Sequence, residues 1–168
     1  MGAEAMGDLS VQAEMRGDDK ALERRSIRNA EKLATMLEDY LKQRFGYKSP
    51  AVTFGMPRYL VAARRKKYDL YLRVTPPNCE LWPSDTLVIA KIGFHQQRKG
   101  HGTHLMSFFV SNADRFGFTH IGIESMNPNS SAFAAALGFA PHRSERHVRA
   151  PVEVIQRFLP RAEPGHNR

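Results

Sequence analysis

The chain has 168 residues, of which 42% are hydrophobic, and this composition is sufficient for one domain with a sizeable core. Its 25 lysine and arginine residues against 17 acidic residues give a basic protein with a net charge of +8, which favours an anionic partner. The single cysteine excludes an internal disulfide and favours a reducing, cytoplasmic compartment, and no apolar run approaches the roughly 20 residues that span a membrane.

The N-terminal region is predicted to be a flexible tail, residues 1–18, followed by one domain, residues 19–162, and a frayed C-terminus, residues 163–168. Residues 1–18 are polar and lack hydrophobic periodicity. Apolar residues then recur every three or four positions, at Ile27, Ala30, Ala34, Leu37 and Leu41. This spacing predicts an N-terminal amphipathic helix that packs on its own domain and ends at Gly46.

Three short runs with β character follow this helix. Residues 59–63 and 68–74 flank the basic sequence R-R-K-K, which predicts a hairpin of antiparallel strands. Pro76, Pro77 and Pro83 interrupt the chain before the third run, residues 86–92. Trp82 in this loop is interpreted as covering the core, with a role in lining an acceptor pocket as the alternative.

A turn of the form Gln97-x-x-Gly100-x-Gly102 connects the third strand to a predicted helix. The first N–H groups of a helix lack intrahelical acceptors, and the helix dipole adds partial positive charge, so an anion is stabilised there. Glycine permits close approach of a ligand to the backbone. The turn therefore indicates a pyrophosphate site, although it lacks the dinucleotide and P-loop fingerprints. A purely structural turn is the alternative.

A second segment follows the next predicted strand, residues 119–124, and reads N-P-N-S-S-A-F-A-A-A-L-G-F over residues 127–139. The order of turn, helix, strand and Asn-to-Gly-Phe segment resembles the GNAT superfamily of acyl-CoA-dependent N-acetyltransferases. The resemblance covers about residues 86–141. It implies an α/β (α+β) fold with a mixed, mostly antiparallel central sheet flanked by helices. Residues 145–150 and 151–159 are predicted to add a last strand and a closing helix.

The resemblance also implies acetyl-CoA as cofactor and transfer of its acetyl group to a primary amine by direct attack. The backbone at Ile92 would pair with the pantetheine arm, Asn127 would lie near the pantetheine and thioester, and Phe133 would flank the cysteamine end. The pyrophosphate would be wrapped by Gln97, Arg98, Lys99, Gly100, His101, Gly102 and Thr103.

The catalytic residues are less well defined by the sequence. Many family members carry a tyrosine that protonates the departing thiolate, and that position is Ala134 in this chain. A general base must also accept a proton from the attacking amine. Glu124 and Asp85 are ranked equally as candidates, and His95 is a third. Each has a simpler interpretation as a solvated residue or local hydrogen-bond partner.

The sequence is also compatible with other functions. A metal site is not expected, because His101 and His104 lack a second ligand pair with zinc-site spacing. The contrasting hypothesis is a non-catalytic module of the same fold that binds nucleic acid or an acidic protein through its basic surface. A toxin-type member that acetylates aminoacyl-tRNA is a third hypothesis, against which Ala134 argues. No membrane partner is expected, and the chain is expected to be a monomer or homodimer.

Overall fold

A long helix, α1 (Ala3–Phe45), begins the part of the chain that is described, which is the backbone of residues 3–77 and 79–161 in a computed structural model. Its apolar stripe, which includes Leu33, Leu37 and Leu41, is buried against the sheet. Gly46, with a φ of 77°, ends the helix as predicted, because glycine adopts the left-handed conformation without a Cβ penalty. Residues 3–18, predicted as a tail, have a helical backbone, and residues 163–168 lie outside the described residues.

Within the described residues, seven strands and four further helices follow. The strands are β1 (Val52–Phe54), β2 (Leu60–Arg65), β3 (Tyr68–Val74), β4 (Thr86–Phe94), β5 (His120–Ile123), β6 (Ala140–Pro141) and β7 (Val148–Pro151). The helices are α2 (His101–Ser111), α3 (Ala113–Phe116), α4 (Pro128–Ala136) and α5 (Val152–Phe158). No helix in the described ranges is long and apolar enough to cross a membrane.

The strands form one seven-stranded sheet in the order β1-β2-β3-β4-β5-β7-β6. Every neighbouring pair is antiparallel except β4 and β5, which are parallel. The predicted mixed, mostly antiparallel sheet flanked by helices is therefore confirmed. The predicted hairpin is also confirmed, since β2 pairs with β3 from Leu60 to Arg65.

The main core lies on one face of the sheet. Alternate residues of β3 are buried, and their partners across the sheet, such as Ile89 and Ile123, belong to the same cluster as the apolar residues of α1 and α2. On the opposite face, Trp82 is 1% exposed and packs on Gly122, where an added Cβ would lie 2.4 Å from the indole. The prediction that Trp82 covers a core surface is confirmed.

The parallel strands β4 and β5 separate partway along β4. Their pairing runs from Thr86 opposite His120 to Ile89 opposite Ile123. At Ala90 the register between β3 and β4 shifts, because Leu72 pairs with Ile89 while Tyr71 pairs with Lys91. A bulge bends a strand. Beyond this bulge β4 continues to Phe94, and within the described chain it pairs there with β3 only. The edge of β4 that faces away from β3 is thereby opened.

Candidate functional site

The turn after β4 leaves a helix N-terminus without a side-chain cap. Arg98 and Gly100 are left-handed, with φ values of 59° and 74°, and Gly100 is the N-cap of α2. None of the described side chains caps this end, and the first turn of α2 contains no acidic residue. The backbone N–H groups at this point are therefore available to an anion. The predicted order of strand, glycine turn and helix is confirmed.

The structure brings the glycine turn and the Asn-to-Gly-Phe segment together. A Cβ added at Gly102 would lie 3.3 Å from two ring atoms of Phe133 on α4. This short distance shows that the aromatic ring packs directly on the first turn of α2. The open edge of β4, the N-terminus of α2 and the helix α4 consequently surround one region, which we call the strand split.

Asn127 begins α4 and caps it. Its side-chain Oδ1 accepts the N–H of Ser130 at 2.9 Å, and Ser130 Oγ accepts the N–H of Asn127 at 2.9 Å. Pro128 occupies the first helical position, where a missing N–H carries no cost. The cap uses the side-chain oxygen Oδ1 of Asn127. The Nδ2 amide group of the same side chain is left to donate a hydrogen bond to a ligand.

Glu124 lies where β4 and β5 separate. Its backbone N–H donates to the carbonyl oxygen of Ile89 at 3.0 Å, which closes the last rung between the two strands. Its Oε1 accepts the indole N–H of Trp82 at 2.7 Å and forms an ion pair with Arg73. The Glu124 side chain is 12% exposed. Both contacts use Oε1, and Oε2 forms no hydrogen bond within the part of the chain that the structure describes.

Asp85 lies at the opposite end of β4 from the glycine turn. At about 3.3 Å per residue, it is roughly 20 Å along the strand from Ile92. Its Oδ1 accepts from Arg149 at 2.9 Å, and its Oδ2 accepts from the hydroxyl of Thr119 at 3.0 Å. Partial burial raises the pKa of Asp85, but the bond from Thr119 and the charge of Arg149 outweigh it and lower the pKa overall. The structure therefore places Asp85 in an ion-paired cluster away from the strand split.

The histidines near the turn face away from the strand split. His101 Nδ1 accepts from Arg44 Nε at 3.0 Å, and its ring lies 4.9 Å from that of Phe45. Burial lowers the pKa of His101, as do the charges of Arg44 and His104, so the imidazole is neutral near pH 7. The exposed His95 lines a cavity shared with Arg44. Hence His101 contributes its backbone, rather than its side chain, to the turn.

The remaining predicted residues differ in exposure. Thr103 and Ile92 are half-buried, while the side chains of Gln97, Arg98 and Lys99 are exposed. Ala134 stands where many members of the resembled family carry a tyrosine, and it supplies no hydroxyl. It is 1% exposed and belongs to the core cluster.

Sequence reasoning missed Arg73, which pairs with Glu124. Arg73 occupies one of the half-buried positions that alternate with the buried residues of β3, and it pairs with Val88 of β4. Its charge, near the end of a half-buried strand, was the feature of the sequence that could have identified Arg73 as a candidate. Its partner could not be identified because Glu124 lies 51 positions further along the chain.

Comparisons with known proteins gave matches to solved structures. No protein-family model matches the chain, and no curated protein matches it. The crystal structure of AtaTR bound with AcCoA is similar at 18% identity over 60% of this chain and 73% of that chain, with a TM-score of 0.44. The KacTA–DNA complex is similar at 18% identity over 76% and 83%, with a TM-score of 0.41. A mutant of the cAMP-binding acyltransferase from Mycobacterium smegmatis is similar at 15% identity over 59% and 34%, with a TM-score of 0.38.

Proposed function

We propose that this protein is a GNAT-type N-acetyltransferase that uses acetyl-CoA to acetylate a primary amine. One observation carries the proposal: β4 separates from β5 beside an uncapped helix N-terminus, with Glu124 at the point of separation. This arrangement combines an exposed strand edge, an anion site and a carboxylate in one region.

The strand split suits the three parts of the cofactor. The free edge of β4 around Ile92 offers backbone N–H and C=O groups to the amides of the pantetheine arm, as an exposed edge does to an added strand. The N-terminus of α2 at Gly100 stabilises the pyrophosphate through its N–H groups and dipole. The free amide of Asn127 donates to the arm near the thioester.

The reaction is nucleophilic substitution at the thioester carbonyl. The amine nitrogen attacks the carbonyl carbon, a C–N bond forms, and the C–S bond breaks as the tetrahedral intermediate collapses. Backbone N–H groups near Ile92 stabilise the oxyanion. Holding both reactants in the strand split supplies a further part of the rate enhancement.

Glu124 accepts the proton that the ammonium form of the acceptor must lose. The ion pair with Arg73 and the bond from Trp82 fix the carboxylate through Oε1, and the proton goes to the free Oε2. Because Ala134 carries no hydroxyl, water takes the second nitrogen proton from the tetrahedral intermediate and delivers a proton to the departing CoA thiolate.

The experiment that tests the proposal is calorimetric titration of acetyl-CoA, followed by an assay for CoA thiol release with a panel of amines. The panel should include polyamines, lysine peptides, peptide N-termini and aminoglycosides. We expect saturable binding and amine-dependent thiol release. Absence of binding by the folded protein at millimolar acetyl-CoA would contradict the proposal.

A non-catalytic role is the second candidate function. The burial of Ala134 supports it, because the family's usual proton donor has no counterpart at that position. A nucleic-acid-binding module of this fold would release no CoA thiol and would bind nucleic acid with an affinity that falls steeply as salt is added. An affinity that is insensitive to salt would exclude this candidate.

A further inference from the structure

A cavity lies where the end of β4 and the start of α2 meet the C-terminal end of α1. Its volume is about 380 Å³, and it is lined by Arg44, Phe45, Lys66, Lys67, His95, Gln96 and His101. Three of these seven residues are cationic, two are histidines, and none is acidic. We call this space the basic cavity.

The basic cavity is on the opposite side of β4 from the strand split. Lys66 and Lys67 form the turn between β2 and β3, and β3 pairs with the edge of β4 that faces away from β5. Arg44 is at the C-terminal end of α1, which packs over this same region. The last residues of β4 therefore separate the two spaces.

The cations of the basic cavity have no carboxylate partners among the described residues. Arg44 Nε donates to the neutral imidazole of His101, and Lys67 Nζ donates to the carbonyl oxygen of Phe45 at 2.9 Å. Neither Arg44, Lys66 nor Lys67 forms an ion pair within the described ranges. By contrast, the neighbouring Arg64 pairs with Asp69.

This arrangement holds positive charges close together without compensation. Like charges that line one cavity repel, and a bound anion would relieve that repulsion. The bonds from Arg44 and Lys67 fix both side chains against the wall of the cavity, so little side-chain entropy is lost when an anion binds.

We propose that the basic cavity binds a phosphate ester of mononucleotide size that is separate from the acetyl-CoA bound in the strand split. Arg44, Lys66 and Lys67 suit a phosphate with two negative charges, and Phe45 provides an apolar contact for the group that it carries. A volume of about 380 Å³ lies in the range of small-molecule sites and accommodates one nucleotide.

The test is calorimetric titration of adenosine monophosphate into the wild-type protein and into Lys66→Glu. Lys66 is exposed on a turn, so the substitution preserves the fold, which circular dichroism verifies. Lys48→Glu is the matched control, because Lys48 is also an exposed lysine but does not line the cavity. We expect wild type and Lys48→Glu to bind equally, and Lys66→Glu to bind at least about tenfold more weakly. Lys66→Gln should give a smaller loss.

Competition then separates the sources of the phosphate. Saturating CoA should leave binding of adenosine monophosphate unchanged if the two sites are distinct. Displacement by CoA but not by dephospho-CoA would assign the cavity to the 3′-phosphate of CoA. That result would overturn the proposal that the cavity binds a separate ligand. No binding by the wild type, or an equal loss in Lys48→Glu, would overturn the site itself. The test does not depend on acetyl transfer, so its failure is distinct from failure of the proposed function.

Discussion

Replacing Gly100 with aspartate tests the pyrophosphate site, and the chain provides a matched control at Gly46. Both glycines are left-handed, with φ values of 74° and 77°, and a Cβ at either position would meet no atom within 4 Å. The two substitutions therefore add the same charge and the same strain, roughly 1–2 kcal/mol of unfolding free energy. Gly46 ends α1, whereas Gly100 begins the helix at the strand split.

The difference between the two variants should appear in cofactor affinity. A carboxylate about 4 Å from one phosphate charge costs about 1 kcal/mol in bulk water and about 4 kcal/mol at an effective dielectric constant of about 20. Gly100 is exposed, so the cost lies between these limits. The dissociation constant for acetyl-CoA should rise about fivefold to a thousandfold in Gly100→Asp.

The assay is calorimetric titration of acetyl-CoA into both variants and the wild type, with thermal unfolding as the measure of stability. We expect Gly100→Asp to unfold at a temperature no lower than Gly46→Asp, because a carboxylate is stabilised at a helix N-terminus and destabilised at a helix C-terminus. A loss of affinity for acetyl-CoA is expected in Gly100→Asp alone. If Gly100→Asp binds within about threefold of the wild type, a difference below about 1 kcal/mol, the turn does not hold the pyrophosphate. An equal loss in Gly46→Asp would show that strain or net charge, rather than position, is responsible.

Three further outcomes are expected. Glu124→Gln should lower kcat by roughly 10²- to 10⁴-fold without changing acetyl-CoA affinity, and near-normal turnover would exclude Glu124 as the base. Gly122→Ala should lower the unfolding free energy by about 1–3 kcal/mol in urea, because its Cβ would lie 2.4 Å from Trp82. Gly93→Ala is the control, with its nearest atom at 3.7 Å. Asp85 has a pKa below its ordinary value of 3.8 when folded, so its stabilising contribution is present above that value and is lost as pH falls through the folded-state pKa. Asp85→Asn should therefore weaken the acid dependence of urea unfolding, and an unchanged dependence would refute this assignment.

Local patterns in the sequence predicted the features that depend on neighbouring residues. The end of α1 at Gly46 and the strand, glycine turn and helix around Gly100 follow from spacing and backbone freedom within a few residues. The N-terminal extension of α1 was not predicted, because residues 3–18 carry no apolar periodicity. The short strands β1 and β6 were also missed, since each has three residues or fewer.

Contacts between residues that are distant in sequence could not be predicted from local sequence patterns. Asp85 and Glu124 were equivalent as strand-end carboxylates, but the register of β4 on β5 places Glu124 at the strand split and Asp85 beside Arg149. Similarly, the side chain of His101 packs toward α1 because Arg44 offers it a hydrogen-bond donor across 57 positions of sequence. Such contacts depend on how the elements pack, which spacing within one segment does not determine.

The contact between Trp82 and Glu124 gives the protein an intrinsic optical reporter. Trp82 is the one tryptophan in the sequence, so all indole fluorescence comes from a ring hydrogen-bonded to the carboxylate at the strand split. The ring of His142 stacks on the indole at 4.8 Å, and that of His147 lies 5.9 Å away. Emission should therefore respond when a ligand rearranges Glu124 or displaces either imidazole. Rapid-mixing fluorescence could then follow occupancy of the strand split in unlabelled protein.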